Sequence, residues 1–293
     1  MTNKWILAAR PKTLTAASMP VLTASALAWY DDVFKPLAAL SCIAFAVLAQ
    51  IAANFANDYF DHKDGIDTEE RLGPARAVAS GWITPKAMLR ATFAVLALAC
   101  MCGLVLISYG GWLMIAVGLA CVVFAVLYST GPYPLSRYGM GDIFVIVFFG
   151  FVPVLFTYYV QGGTFPLSAW LLGGMMGLMS ENILITNNYR DIDTDRQTNK
   201  YTTIVLFGKS FGKWLYFSTG VVATGLFAYY SSIIGNLYGV FLPIAYLILH
   251  ITTWREMVKI DRGKGLNKIL GLTSRNFLLF SILYILVLFL SKV

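Results

Sequence analysis

Charged residues are scarce in this chain of 293 residues: they make up 13% of the sequence, whereas about 25% is usual in a soluble domain. Apolar residues make up 58%, and the mean hydropathy is +0.69. A soluble fold of this length has no interior large enough for so much apolar surface. Disorder is excluded too, because disordered chains combine low hydrophobicity with high charge. The composition therefore predicts a protein that crosses the membrane several times.

Cysteine and histidine are also few. The chain has two histidines and four cysteines, and the cysteines lie inside apolar runs without metal-ligand spacing. This pattern excludes a zinc site and a disulfide framework, and it favours cysteines that pack as small core side chains. The opening stretch MTNKWILAARPKTL carries charges and no cleavage box, so we expect no removable signal peptide.

The apolar runs have the length of membrane-spanning helices, which need about 20 mostly apolar residues. They lack the period-two alternation of membrane strands, and Gly, Pro and Asn separate them. We expect an all-α fold, one domain over residues 1–293, in which nine helices surround a central polar cavity. The nine predicted spans are 14–30, 37–57, 87–108, 112–129, 143–160, 167–186, 214–230, 237–254 and 275–291.

The basic residues orient this bundle. All of the 22 Lys and Arg residues except Lys35 and Lys292 fall on the side of the N-terminus or at helix ends on that side. The positive-inside rule places that side in the cytoplasm. We therefore expect an inner membrane protein of bacterial type, with the N-terminus and the polar loops cytoplasmic and the C-terminus outside. The net charge of +7 reflects this orientation, and no nucleic-acid partner is expected.

Acidic residues on the same side have no such explanation, because they oppose the basic bias. Two segments, at the ends of the second and sixth predicted spans, share the pattern Asn-x-x-x-Asp: Asn57 with Asp61, and Asn187 with Asp191. Residues four apart project from one helix face. Asp195 extends the second stripe by another turn.

If these two helix ends converge, carboxylates from both motifs meet and repel one another, and a hard divalent cation is the ordinary solution. Oxygen ligands without Cys or His favour Mg²⁺, which usually bridges carboxylates to a substrate phosphate. The spacing favours Asp61, Asp191 and Asp195 as the residues that carry the chemistry. Asp67 is a further candidate ligand.

Several basic residues beside these carboxylates match a diphosphate, because guanidinium forks fit its oxygens. We expect Arg76, Arg190 and Lys200 to contact phosphate, although each of them also fits a role in orienting the chain. Arg137 is a candidate for positioning an aromatic substrate.

Three other polar residues are candidates for the site. We assign Asn54, one turn before Asn57, to substrate binding. Lys12, with Arg10, meets a substrate carboxylate or phosphate, or anchors the chain at the membrane surface. Glu181 lies inside an apolar span, where ionisable groups are costly and usually functional. It is a candidate proton acceptor, and a packing role with hydrogen bonds is the alternative.

The acidic clusters at 57–61 and 191–195, together with nine helices, resemble the UbiA superfamily of intramembrane aromatic prenyltransferases. Four stretches are similar to its menaquinone branch: ARPKTL at 9–14, DGIDTEER at 64–71, GPARAVASG at 73–81 and TNNYRDIDTD at 186–195. The resemblance covers positions 9 to about 210 and leaves the last two spans without a specific match.

The resemblance implies a ligand set for Mg²⁺ on the diphosphate of a prenyl donor: Asn57, Asp61, Asn188, Asp191 and Asp195. Relatives that act on 4-hydroxybenzoate have one more Asp at the position of Gly65. Relatives of the menaquinone branch use a later Asp after a Gly, which corresponds to Asp67.

The resemblance also implies the reaction. A polyprenyl chain passes from its diphosphate to 1,4-dihydroxy-2-naphthoate, with loss of CO₂ and diphosphate. Aromatic faces shield the allylic cation; Tyr128, Tyr133, Phe148 and Phe149 are candidates. The prenyl tail leaves the cavity sideways into lipid, and no obligate protein partner is expected.

Two alternatives remain open at this point. The first is a sister prenyltransferase that uses 4-hydroxybenzoate, homogentisate or haem, since these enzymes share the acidic motifs. The second is a transporter of divalent or organic cations with paired half-sites. The position of the carboxylates at one membrane face, away from the midplane, argues against transport.

Overall fold

The computed structural model describes residues 3–65, 72–128, 130 and 134–292, apart from the side chain of Val126. Helices account for most of these residues, and the only β-type pairing among them is one bridge between Tyr138 and Tyr201. The all-α prediction is confirmed. The α-helices are α1 (Lys4–Ala9), α2 (Pro11–Tyr30), α3 (Pro36–Lys63), α4 (Pro85–Gly110), α5 (Leu113–Leu127), α6 (Gly141–Ile146), α7 (Val152–Gly162), α8 (Leu167–Gln197), α9 (Thr203–Phe207), α10 (Lys209–Ile233), α11 (Leu237–Phe241), α12 (Pro243–Ile260) and α13 (Leu266–Lys292).

Each predicted span falls on one of these helices or on two consecutive ones. Five helical stretches of the described chain are long and apolar enough to cross a membrane: α3, α4, α6 with α7, α11 with α12, and α13. The shorter apolar helix α5 has 15 residues. The chain therefore has the helices of an integral membrane protein, and the count of nine crossings remains a prediction.

The helices begin where the sequence provides starting signals. Pro11, Pro36 and Pro85 occupy the first position of α2, α3 and α4, where a missing N–H costs nothing and the fixed φ angle suits a helix. Thr84 caps α4 by accepting a hydrogen bond from the backbone N–H of Ala87. These signals separate the apolar runs into distinct helices.

Helices α3 and α8 extend beyond the C-terminal ends of their predicted apolar spans, and each carries an acidic motif on this extension. Helix α3 continues to Lys63, and Gly65 then adopts a left-handed φ of 69°, as expected from a helix that loosens at this glycine. Helix α8 continues to Gln197. Both motifs therefore lie on regular helix, so their four-residue spacing does place the side chains on one face.

A π-helical turn, Val147–Phe151, joins α6 to α7 and packs closely against α8. Gly150 lies in this turn. A Cβ atom at this position would come within 2.5 Å of the carbonyl oxygen of Gly173 and would collide with the backbone of Gly177. Small residues allow helix backbones to approach in this way in membrane proteins. The turn also directs Phe148 and Phe149 to the wall of a cavity.

Candidate active site

A cavity of about 490 Å³ lies between α2, α3, α4, α5, α7 and α8. Most of its wall is apolar. Several of its polar side chains gather where the acidic extensions of α3 and α8 begin, and Thr157 adds a polar group beside Cys42, near the start of α3. The cavity that was predicted to be polar is therefore mostly apolar. These polar lining residues include Arg10, Gln50, Asn54, Asn57, Tyr128 and Asn187.

The first acidic motif forms a compact network at this polar end. The amide nitrogen of Asn57 donates to Oδ2 of Asp61 at 2.9 Å. The amide oxygen of Asn57 accepts from Arg76 at 2.6 Å and from Arg10 at 2.9 Å. Arg76 also donates to Oδ2 of Asp61 at 2.7 Å. Two guanidinium groups therefore stand beside the amide and the carboxylate that we predicted to bind metal.

Asp58, the neighbour of Asn57, has a different role. It is buried, and its two carboxylate oxygens accept the backbone N–H groups of Ala77 and Val78 at 3.0 and 3.1 Å. Because both oxygens are engaged with backbone, Asp58 anchors the loop that carries Arg76. It thereby sets where this guanidinium stands.

Arg137 connects the loop before α6 with the segments that follow α3 and α8. Its guanidinium donates to Oδ2 of Asp64 at 2.6 Å, beyond the end of α3. Its carbonyl oxygen accepts from the backbone N–H of Tyr201 at 2.9 Å, shortly after α8. The expected contact of Arg137 with an aromatic substrate stays a prediction. Asp67 and Tyr133 lie outside the described residues.

The second acidic motif lies on the extension of α8. Arg190 donates two hydrogen bonds to Asp191, from Nε to Oδ1 at 2.7 Å and from Nη2 to Oδ2 at 2.6 Å. Lys200 donates to both oxygens of Asp195, at 3.2 and 3.3 Å. Within the described chain, Asn187 lines the cavity and the buried Asn188 does not.

The two motifs face one hollow. Asn57 and Asn187 both line the cavity, and Tyr128, whose side chain also lines it, is within electrostatic reach of Asp61 and Asp195. The first residue of each motif therefore lies at the same cavity, and the shared metal site stays a prediction. Asp61, Asp191 and Asp195 each have a cation of this chain beside them, which offsets the repulsion expected between bare carboxylates.

The donor set has the chemistry of a magnesium site that needs a phosphate to complete it. No group of three or more His, Cys, Asp or Glu side chains within the described ranges could hold a metal by itself. Asn57 and Asn187 nevertheless line one hollow, and a carboxylate follows each of them one helical turn later, at Asp61 and Asp191. Mg²⁺ commonly takes one or two carboxylates plus substrate phosphate. The residues present therefore fit Mg²⁺ bound together with a diphosphate.

Three further predicted residues have individual positions. Asn54 lines the cavity, and its amide nitrogen donates to the carbonyl of Ala9 and to Oγ1 of Thr13 at 2.9 and 3.1 Å, which fastens α3 to the start of α2. Lys12 is exposed, and its ammonium lies 3.9 Å from the position of a Cβ atom on Gly271 in α13.

Glu181 is buried in α8, and no donor among the described residues reaches either carboxylate oxygen. Its carboxylate lies close enough to Asp142 for the two charges to interact. Asp142 in turn accepts from Oγ1 of Thr203 at 2.9 and 3.0 Å. This buried acid pair connects α6 with α8, and the sequence analysis did not identify Asp142 as part of it.

Comparison with known proteins identifies the family of the chain. The model of the UbiA prenyltransferase family matches residues 17–289. The chain belongs to the UbiA prenyltransferase family. This UbiA family member includes both acidic motifs and the apolar cavity within the matched region.

Two relatives are similar to the family member over more than two thirds of its length. The 1,4-dihydroxy-2-naphthoate octaprenyltransferase of Escherichia coli strain K12 is 37% identical over 216 residues, covering 71% of this chain and 70% of its own. The protein of the same name from Mycobacterium tuberculosis is 38% identical over 213 residues, covering 73% of each chain.

A solved structure with the same fold is that of a UbiA homologue from Archaeoglobus fulgidus bound to DMAPP and Mg²⁺. It superposes with a TM-score of 0.70 at 13% identity and covers 99% of each chain. At this identity the likeness establishes the fold of the UbiA family member and leaves its substrates to be argued from its own residues.

Proposed function

We propose that this protein transfers a polyprenyl chain from prenyl diphosphate to 1,4-dihydroxy-2-naphthoate, with loss of CO₂ and diphosphate, in menaquinone biosynthesis. The observation that carries the proposal is the shared hollow: Asn57 and Asn187, the first residues of the two acidic motifs, line one mostly apolar cavity. The two relatives named for this reaction, which cover more than two thirds of this chain, support the choice of acceptor.

The polar end would hold the diphosphate. The side chains proposed to hold Mg²⁺ there are Asn57, Asp61, Asn188, Asp191 and Asp195, with Asp67 as a further ligand. When bound, Mg²⁺ would stabilise the negative charge that grows on the leaving diphosphate. Arg76, Arg190 and Lys200 already stand beside three of these carboxylates, so cations of the chain are available for the phosphate oxygens.

The charge balance of this end suits such a ligand. In the described structure, Asp61, Asp191 and Asp195 each pair with one cation of the chain. A metal ion with a diphosphate presents the same two signs to the protein. We infer that the pairs hold the site in shape between turnovers and exchange partners when this ligand enters.

The apolar part of the cavity would hold the prenyl chain and exclude water. Phe148, Phe149 and Tyr128 line the cavity, and Phe124 stacks on Phe148 with ring centroids 4.1 Å apart. The faces of aromatic rings attract cations. These rings are therefore proposed to shield the allylic cation, and the far end of the chain would pass between helices into membrane lipid.

The acceptor would enter beside these aromatic rings. Its electron-rich ring attacks the allylic carbon at the position that bears the carboxylate, and the bond to that carboxylate breaks to release CO₂. Glu181 is proposed to take up the proton of a ring hydroxyl of the acceptor as the ring attacks, and to return it once CO₂ has left. Among the described polar groups, Asp142 lies beside its buried carboxylate. Arg137, Asn54 and Lys12 remain proposed substrate contacts. Arg10, close to Lys12 in sequence, donates to the amide oxygen of Asn57.

This arrangement implies an orientation in the membrane. The polar end belongs at the cytoplasmic face of a bacterial-type inner membrane, with nine crossings, a cytoplasmic N-terminus and the C-terminus outside. Cysteine labelling at the two ends of intact and opened cells would test this orientation. Labelling of a C-terminal cysteine only in opened cells would contradict it.

The decisive experiment is mass spectrometry of the product made by purified protein in lipid nanodiscs. The reaction contains Mg²⁺, mixed prenyl diphosphates and one acceptor at a time: 1,4-dihydroxy-2-naphthoate, 4-hydroxybenzoate or homogentisate. We expect a prenylated, decarboxylated naphthalene product. Product from another acceptor alone would assign a sister prenyltransferase, and cation flux without any product would assign a transporter.

A further inference from the structure

Asn267, in the first turn of α13, forms a bridge between two separate parts of the site. Its amide oxygen accepts a hydrogen bond from Nη1 of Arg190 at 2.9 Å. Its amide nitrogen donates to the carbonyl oxygen of Leu72 at 2.8 Å. One side chain therefore joins the acidic extension of α8 to the loop that follows α3.

The contact with Arg190 completes the hydrogen bonding of a buried guanidinium. Nε and Nη2 of Arg190 are committed to the two oxygens of Asp191, and Nη1 is committed to Asn267. A guanidinium fork held on three nitrogens has little freedom to rotate. Asn267 thereby fixes the plane of Arg190, and through it the direction of the Asp191 carboxylate.

The contact with Leu72 restrains the loop that carries Arg76. The same loop is restrained on its other side by Asp58, which accepts from the backbone of Ala77 and Val78. Arg76 thus stands between a point fastened to α13 and a point fastened to α3. A change at Asn267 would alter the positions of Arg76 and Arg190 together.

We propose that Asn267 is a positioning residue that sets the distance between the two halves of the diphosphate site. The inference rests on the proposed function of that site. Asn267 itself need not touch substrate, because its two hydrogen-bonding groups are already used within the protein. It acts through Arg190 and through the loop of Arg76, so its loss should weaken diphosphate binding more than acceptor binding.

The test uses binding without turnover. The probe is the unreactive thiolo analogue of geranyl diphosphate with Mg²⁺, titrated onto protein in nanodiscs without an acceptor. Asn267→Leu keeps the size of the side chain and removes both hydrogen bonds. We expect it to weaken binding about tenfold, the effect of one lost hydrogen bond to a charged group. Asn267→Gln, which keeps both groups, should recover part of the affinity.

A matched control lies on the same helix. Asn276 is buried and donates to Oγ1 of Thr253 at 2.9 Å and to the carbonyl of Leu249, away from the site. We expect Asn276→Leu to lower the melting temperature at least as much as Asn267→Leu and to leave binding of the analogue unchanged. In steady-state assays, Asn267→Leu should raise KM for the prenyl diphosphate and leave KM for the acceptor unchanged.

Two results would overturn the role of Asn267. One is wild-type affinity for the analogue in Asn267→Leu, and the other is an equal loss of affinity in Asn276→Leu. Failure of the proposed function looks different: wild-type protein would bind the analogue and form no product with any acceptor. The comparison of the two variants would still decide the role of Asn267 in that case.

Discussion

Nη2 of Arg76 lies 2.7 Å from Oδ2 of Asp61, so the loop before α4 supplies the cation that faces the first acidic motif. The two residues are fifteen positions apart in sequence. Asn57, on α3, contacts both of them: it donates to Asp61 and accepts from Arg76. Because the site is built from a helix end and a loop held by Asp58, we expect different effects from replacing Asp61, from replacing Asp58 and from removing Mg²⁺.

Replacing the first carboxylate should remove activity and leave the fold intact. For Asp61→Asn we expect product formation to fall roughly 100-fold or more, because a charge that stabilises the leaving group is lost. The measurement is product per unit of membrane-inserted protein. Asp32→Asn is the matched control, since Asp32 is exposed and pairs with Lys292, far from the cavity. Equal activity of the two variants would contradict the assignment.

Asp58 should behave as an anchor and differ from its neighbour Asp61. Asp58→Ala leaves two buried backbone N–H groups without an acceptor, at a cost of about 1–3 kcal/mol for each group. We expect a clear drop in melting temperature and faster proteolysis between α3 and α4. Asp61→Asn should show neither change. A variant of Asp58 that is stable and merely inactive would point to a direct role in catalysis.

Removal of Mg²⁺ should abolish both catalysis and donor binding. Described carboxylates form no metal cage of their own, so Mg²⁺ and diphosphate should each bind poorly without the other. The measurement is the stabilisation of the protein by the thiolo analogue, with and without a chelator. We expect stabilisation only when Mg²⁺ is present. Full stabilisation by the analogue alone would show that the cations of the chain suffice.

The contact of the π-helical turn with α8 should tolerate no added methyl group. Gly150→Ala would place a Cβ atom against the backbone of Gly177, and overpacking of this kind costs about 1–3 kcal/mol or more. We expect a lower melting temperature and a loss of activity, because Phe148 and Phe149 share the turn. Gly225→Ala is the control, since a Cβ atom there meets nothing within 4 Å. Comparable stability of the two variants would refute the close packing.

Asp261 should contribute stability only above the acidic range. The phenol of Tyr189 donates to its carboxylate at 2.7 Å, and this hydrogen bond, with Lys209 and Lys213 nearby, lowers the pKa of Asp261. A lowered pKa gives stability that is present above the unfolded pKa of about 3.9 and lost as the pH falls through the folded value.

Because the Asp261 side chain is 39% exposed, solvent screening limits its contribution to about 1 kcal/mol. We expect Asp261→Asn to melt a few degrees below the wild type from about pH 7 to about pH 5, with a constant difference. The difference should shrink below about pH 4. A difference that grows on acidification would mean that the carboxylate is destabilising.

Much of the fold follows from sequence because long apolar runs leave few alternatives. All nine predicted spans fall on helices, and the pairs Asn57–Asp61 and Asn187–Asp191 lie on regular helix as their spacing requires. The roles of neighbouring carboxylates within one motif were harder to predict from sequence. Asp58 and Asp61 look alike in sequence, and only the position of the loop backbone shows that one is an anchor.

Other features depend on contacts that no local pattern encodes. Asn267 and Leu72 are 195 positions apart, and nothing in the polar sequence around the start of α13 distinguishes this asparagine from a solvated residue. The π-helical turn at Val147–Phe151 has the composition of an ordinary apolar helix. Asp142 joins Glu181 only because α6 and α8 cross closely.

The bridge made by Asn267 has a consequence for biogenesis. Helices α3 and α8 leave the ribosome well before α13, so the bilayer receives both acidic segments while their common fastening is still missing. A nascent chain halted before α13 would hold its charged helix ends without a fixed spacing. On the proposed role of Asn267, the spacing of the two acidic segments is therefore set only when α13 has been inserted.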